Sequence, residues 1–279
     1  MSDWGKGVIN NIGWGQGANN DIGWGSIYNK SNAGETLLSG SGFDPDYQAV
    51  LDFATSEGDT LPSANQQILQ NNLLKSLKTL GIWDKLDSFA MFATDGDVGF
   101  SLIDWKRLVK MTAVNSPTFT TDEGFTGNGT SSRINSGLAP DGLGNYKLNA
   151  ASFGVFVKTQ GKNNEYLAGS GNNTRMRAVR SSLNRISSDN INSNFDFNIL
   201  GLSHLNKSSA TDVQCIVNGI ASNRTVTNEG LDDEFTFLDF TSGGAGPSDA
   251  QISLGFIGGD LSAEAADFSA AFNTYISSI

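Results

Sequence analysis

The chain has 279 residues, with 29 Asp plus Glu against 18 Lys plus Arg and a formal charge of -11; it has no basic run of the kind that drives phosphate binding, which argues against nucleic acid as a partner. No stretch approaches the roughly 18 consecutive apolar residues of a membrane span, and Met1-Ser2-Asp3-Trp4-Gly5 has neither the basic start nor the apolar middle of a signal peptide. One cysteine, Cys215, permits no internal disulfide, as expected of a protein made in a reducing compartment.

The first element is a repeat. Trp4, Trp14 and Trp24 each precede a glycine (Gly5, Gly15, Gly25), and Ile12-Gly13-Trp14-Gly15 recurs as Ile22-Gly23-Trp24-Gly25, with Gly7 and Gly17 in the same phase. Three such short units cannot bury three indoles among themselves, so the rings are expected to dock elsewhere, in this subunit or another. Residues 29–43, rich in Ser, Gly and Asn, read as a linker. Helical patterns follow at Asp46 to Thr55 and from Leu61-Pro62-Ser63-Ala64 to Gly81, the second with Leu69, Leu73, Leu77 and Leu80 at helical spacing. A third short helix is expected from Asp84 through Phe92, completing a helical connector over 44–98.

From about Gly99 the pattern changes to short alternating runs. Phe153, Val155 and Val157 share one face of a strand; Val213, Cys215 and Val217 share another, ahead of Asn218-Gly219, a pair suited to a tight hairpin turn. Further strands are expected at Thr174 to Val179, Phe197 to Leu205, Arg224 to Thr227, Glu234 to Phe240 and Gln251 to Ile257. A last helix starts near Ser262 as its cap and lines up Ala265, Phe268, Phe272, Tyr275 and Ile276. The expected fold is mainly β: a sandwich or barrel over 99–279 with a terminal helix, preceded by an extended arm over 1–43.

The runs Phe92-Ala93-Thr94-Asp95-Gly96-Asp97, Leu102-Ile103-Asp104-Trp105-Lys106, Asn115-Ser116-Pro117-Thr118-Phe119, Gly124 to Thr130 and Ser152 to Val157, with Phe256 to Ser262 before a terminal helix, resemble the concanavalin A-like (laminin G-like) jelly-roll domain of tailed-bacteriophage virion proteins. The resemblance covers about residues 62–279. The Trp-Gly arm is similar to the N-terminal segments that join phage appendages to the particle. It implies a virion location, assembly in the host bacterial cytoplasm, contacts with other virion subunits and a homo-oligomer such as a trimer.

Sandwiches of this class include glycoside hydrolases, so paired carboxylates matter. Glu229-Gly230-Leu231-Asp232-Asp233-Glu234 has the wrong spacing for two carboxyl groups on one strand face and reads as a solvated loop. His204 has no acid-base partner near it in sequence, and Cys215 reads as a core side chain. Asp44-Pro45-Asp46 and Asp95-Gly96-Asp97 offer oxygen pairs, but neither has the ligand count of a calcium loop, so no metal and no cofactor is expected. Recognition of a host-surface glycan without metal would draw on loop amides and an aromatic face; the candidates are Asn163, Asn164, Tyr166, Asn172 and Asn173. Arg175 and Arg177, on one strand face, read as solvated. The expected protein is a non-enzymatic virion component that displays a lectin-like sandwich; the alternatives are a carbohydrate-active hydrolase and a freestanding lectin.

Overall fold

The computed structural model describes residues 42–139, 144–147, 149–161, 166–170, 174–177, 179–180, 183–184, 200–209, 211–225, 234–240 and 246–279. The Trp-Gly repeat from Trp4 to Gly25, the amides Asn163, Asn164, Asn172 and Asn173, and Glu229 to Asp233 lie outside them. Residues Gly42–Ile279 form one compact unit.

Helix α1 (Pro45–Glu57) begins where Asp44 accepts a hydrogen bond from the Asp46 amide and ends at Gly58, whose φ of 79° is open to a residue without Cβ. Helix α2 (Ala64–Thr79) is capped by Ser63, not begun by Pro62 as the sequence suggested; proline sits one residue before the cap. Leu73 and Leu77 are buried and Leu69 and Leu80 partly so, packed into the unit's own core. Leu73 and Leu77 of the apolar face of α2 are therefore spent within the subunit.

The expected third helix is absent. Trp83–Lys85 make a single tight turn, and β1 (Leu86–Met91) follows as a strand. Its residues give no alternation because both faces are covered: Ala90 joins one core while Phe89 and Met91 join the other. A short α3 (Val98–Ser101) comes next, then β2 (Ile103–Asp104), β3 (Val109–Lys110), β4 (Thr112–Val114), β5 (Thr118–Thr120), β6 (Gly124–Thr126) and β7 (Arg133–Asn135). The segment 44–98 thus supplies a strand to the sheet and is no separate connector.

The longer strands are β8 (Ala151–Thr159), β9 (Tyr166–Ser170), β13 (Gly201–Lys207), β14 (Asp212–Val217), β15 (Ile220–Thr225) and β17 (Gln251–Gly258). Shorter ones are β10 (Thr174–Arg177), β11 (Val179–Arg180), β12 (Leu183–Asn184) and β16 (Thr236–Phe237). Among the described residues the large sheet runs β15-β14-β13-β8-β17-β1-β2-β3, with β6 also on β17 and β5 on β6; the second runs β10-β9-β16-β7-β4. The described pairings are antiparallel, and the whole is a mainly β, jelly-roll-like sandwich with a C-terminal helix. Asn218 and Gly219, at φ 49° and 79°, make the tight turn between β14 and β15.

The large sheet is the middle of three layers. Phe153, Val155, Val157, Cys215 and Val217 point to the core shared with the smaller sheet, as the alternation predicts. Phe156, Leu202, Leu254 and Phe256 point to the core under the helices. In β17 a register shift between Ile252 and Leu254 lets Ile252 and Ile257 face the sandwich while Leu254 and Phe256 face the helices. Helix α4 (Ala265–Ile276) covers that outer face with Ala265, Phe268, Phe272 and Tyr275 buried. Ser262 does not cap it: residues 262–264 are a turn, the Asp260 carboxylate accepts from the Ser262 amide, and Glu264 occupies the cap position without a side-chain bond.

A polar cluster locks the helices to this sheet. Gln70 accepts from the Tyr47 hydroxyl at 2.7 Å, and its two amide N–H groups are shared among Thr94, Gln66 and the Tyr275 hydroxyl, which itself donates to the Ala93 carbonyl at 2.8 Å. Such a satisfied buried network fixes one arrangement of α1, α2 and α4. Burial drives the Tyr47 and Tyr275 hydroxyls well above the ordinary tyrosine range, so both stay neutral donors.

Candidate functional site

The turn after β2 is built around one carboxylate. Asp104, fully buried, accepts from the Lys106 amide at 2.9 Å, the Ser88 hydroxyl at 2.6 Å and the Arg107 guanidinium at 2.7 Å. Arg107 in turn donates to the carbonyls of Ser136 and Gly137, tying the turn to the loop after β7. Leu108 closes it at φ 52°, a left-handed conformation that leucine adopts only under constraint. Asp104 thereby holds Trp105 inward and brings Lys106 and Leu108 to the rim of a cavity.

That cavity, of about 250 Å³, is lined by Asp46, Ala49, Trp83, Trp105, Lys106 and Leu108. The Lys106 ammonium lies 4.5 Å from the centre of the Trp83 ring and donates to the Trp83 carbonyl at 2.9 Å. On the same indole, the Trp83 N–H donates to Asp46 Oδ2 at 2.8 Å, and Lys78 approaches that oxygen at 2.8 Å. Lys78 and the Trp83 N–H hold the Asp46 carboxyl below the usual range against a burial that pushes it up. Burial pulls Lys106 below the ordinary lysine value, with Asp84, Asp46 and Asp87 acting in the other direction. Behind the cavity Tyr47, Phe89 and Trp105 pack with ring centres 5.4 Å apart in each contact, so its wall is rigid.

Chemically the site presents an acceptor and donors side by side above an apolar floor. Asp46 Oδ1 and two of the three Lys106 N–H groups have no hydrogen-bond partner among the described residues. Sequence reasoning missed this pocket because Asp46, Trp83 and Lys106 come from three separate segments. The usable signal was that the two tryptophans outside the arm each neighbour a charged residue, in Trp83-Asp84 and Trp105-Lys106.

The residues singled out from sequence fall differently. Tyr166 is 4 % exposed, with its ring 4.3 Å from that of Phe240. It begins β9 rather than a loop, and its face is closed to a sugar, which corrects its reading as a glycan-binding aromatic. Asp95 accepts from the Ser63 amide, and Asp97 accepts from the amides of Thr60 and Phe100, so both carboxylates pin loops. Asp44 caps α1 and pairs with Lys78. Glu234 accepts from the Gly137 amide at 2.6 Å. Cys215 is buried in the sandwich core.

His204 is fully buried on the helix-facing side of β13, with its ring centre 5.6 Å from that of Phe256. Neither ring nitrogen has a hydrogen-bond partner among the described residues. A Cβ at Gly154, the residue across from it, would lie 2.3 Å from the His204 Cβ, so the glycine makes room for the imidazole. Burial pushes His204 down from 6.5 to about 3. The unfolded chain therefore binds this proton in a window where the folded one does not. Its contribution to stability is whole above 6.5 and lost as pH falls toward 3, at a slope of about 1.4 kcal/mol per pH unit. Urea unfolding between about pH 7 and 4.5 should show this slope flattened by nearly one proton in His204→Leu; equal slopes in the two proteins would mean the imidazole is protonated in the folded state.

No protein-family model matches the chain, and no curated protein matches it significantly. Among solved structures it is similar to domain 4 of AbnA, an extracellular GH43 arabinanase from Geobacillus stearothermophilus, in complex with arabinotriose (16 % identity, TM-score 0.44, 66 % of this chain and 98 % of that one). It is also similar to Trypanosoma rangeli sialidase (13 % identity, TM-score 0.49, 76 % of this chain and 40 % of that one). A third likeness is to a structure of botulinum neurotoxin type C whose cell entry depends on two ganglioside molecules (12 % identity, TM-score 0.47, 71 % of this chain and 53 % of that one). The ligands named for those proteins are theirs.

Proposed function

We propose that the protein is a structural component of a tailed-phage virion, anchored to the particle by its N-terminal arm and displaying the sandwich outward for recognition of a host-surface glycan. The observation that carries this reading is the repeat itself: Trp4-Gly5, Trp14-Gly15 and Trp24-Gly25 precede in sequence the residues 42–279 that carry the sandwich. Glycine lets backbone lie close against a partner while an indole fills a pocket, so each repeat suits an equivalent groove on other virion subunits. Ten extended residues reach at most about 33–36 Å, which bounds the spacing of those grooves. The protein acts by assembly and binding, without turnover, and as a homo-oligomer matched to the symmetry of its attachment site. It is made in the host cytoplasm and resides in the particle. Antibody raised against residues 42–279 and imaged on purified virions should mark one discrete location; particles free of label and of its peptides by mass spectrometry would end the proposal.

A further inference from the structure

We infer that the pocket between α1 and the turn after β2 is a sugar-binding site that takes a neutral pyranose through two adjacent hydroxyls. This deepens the recognition half of the proposed function and rests on it. The pocket is compact, at about 250 Å³, below the range of drug-sized sites and on the scale of one ring. Its polar groups are a carboxylate with a free oxygen, Asp46, and an ammonium with free N–H groups, Lys106, both fixed to the Trp83 indole. A vicinal diol matches that pair: one hydroxyl donates to the carboxylate while its neighbour accepts from the ammonium. Ala49 and Leu108 at the rim offer apolar contact to the C–H groups of the ring, above a floor closed by the buried indoles.

Charge selects among sugars. The pocket is lined by one carboxylate, Asp46, and one ammonium, Lys106, with Lys78 2.8 Å from Asp46 Oδ2. A neutral sugar can use both lining charges through its hydroxyls, whereas the carboxylate of an acidic sugar would lie against that of Asp46. The Lys106 ammonium is not committed to a salt bridge among the described residues, since its one described bond is to the Trp83 carbonyl.

The test is titration of the full-length protein with methyl α-D-glucopyranoside, methyl β-D-galactopyranoside and methyl α-D-mannopyranoside, and with N-acetylneuraminic acid as the acidic probe. Binding is followed by saturation-transfer NMR and by the shift of the Trp83 indole N–H. At least one neutral glycoside should bind with millimolar affinity and move that resonance, and the acidic sugar should not. Lys106→Met and Asp46→Asn should each weaken binding about tenfold or more. Ala49→Phe, which fills the pocket from the rim of α1, should abolish binding while the melting temperature stays near that of the parent. No neutral glycoside binding, equal binding in the three variants, or preference for the acidic sugar would each overturn the site. Virion labelling is read independently, so particles that carry the protein while it binds no glycoside would remove this site and leave the virion assignment standing.

Discussion

Replacing Asp104 with alanine is expected to lower the unfolding free energy by about 3 kcal/mol, because it removes the shared acceptor of several donors, two of them buried. The carboxylate is fully buried and serves the amides of Phe89, Lys106 and Arg107, the Ser88 hydroxyl and the Arg107 guanidinium. The Ser88 hydroxyl and the Phe89 amide would lose this partner in the buried interior, and the Lys106 and Arg107 donors nearer the surface. The left-handed Leu108 should then relax, and the Trp83 and Trp105 environments should change with it. Urea unfolding monitored by circular dichroism gives the first quantity. A loss below about 1 kcal/mol would mean that the turn is held by the backbone alone.

Removing either ring of the C-terminal helix should cost a similar amount. Phe268 and Phe272 are fully buried, with ring centres 4.9 Å from Phe256 and from Phe156 respectively. Phe→Ala at such positions costs about 3–5 kcal/mol through lost transfer energy and the cavity left behind. The two sites share one core, so the double variant should depart from additivity. Losses under about 0.5 kcal/mol for both single variants would place α4 in solvent and remove the third layer from the fold.

These effects follow from features of unequal visibility in the sequence. The face of α4 was legible because Ala265, Phe268, Phe272 and Tyr275 recur at helical spacing against one surface. The β14–β15 hairpin was legible because Asn218-Gly219 carries its own turn chemistry. By contrast β1 read as a helix: a strand buried on both faces has no alternation, and Phe89-Ala90-Met91 is apolar throughout. Strands as short as β2 and β3, two residues each, carry no period at all. Tyr166 looked available beside polar neighbours, yet position in a strand decided its burial. The pocket had no local pattern, since Asp46 and Trp83 lie 37 residues apart and Lys106 and Trp83 23 apart.

The anchoring role of the arm is tested most directly by occupancy in the particle. Trp4, Trp14 and Trp24 are changed together to alanine in the virion-producing host, and the amount of this protein per purified particle is measured by quantitative mass spectrometry against a capsid subunit. The account predicts that the variant folds, with the melting transition of residues 42–279 unchanged, and is missing from the particles. Virions carrying the triple variant at the parental copy number would contradict it.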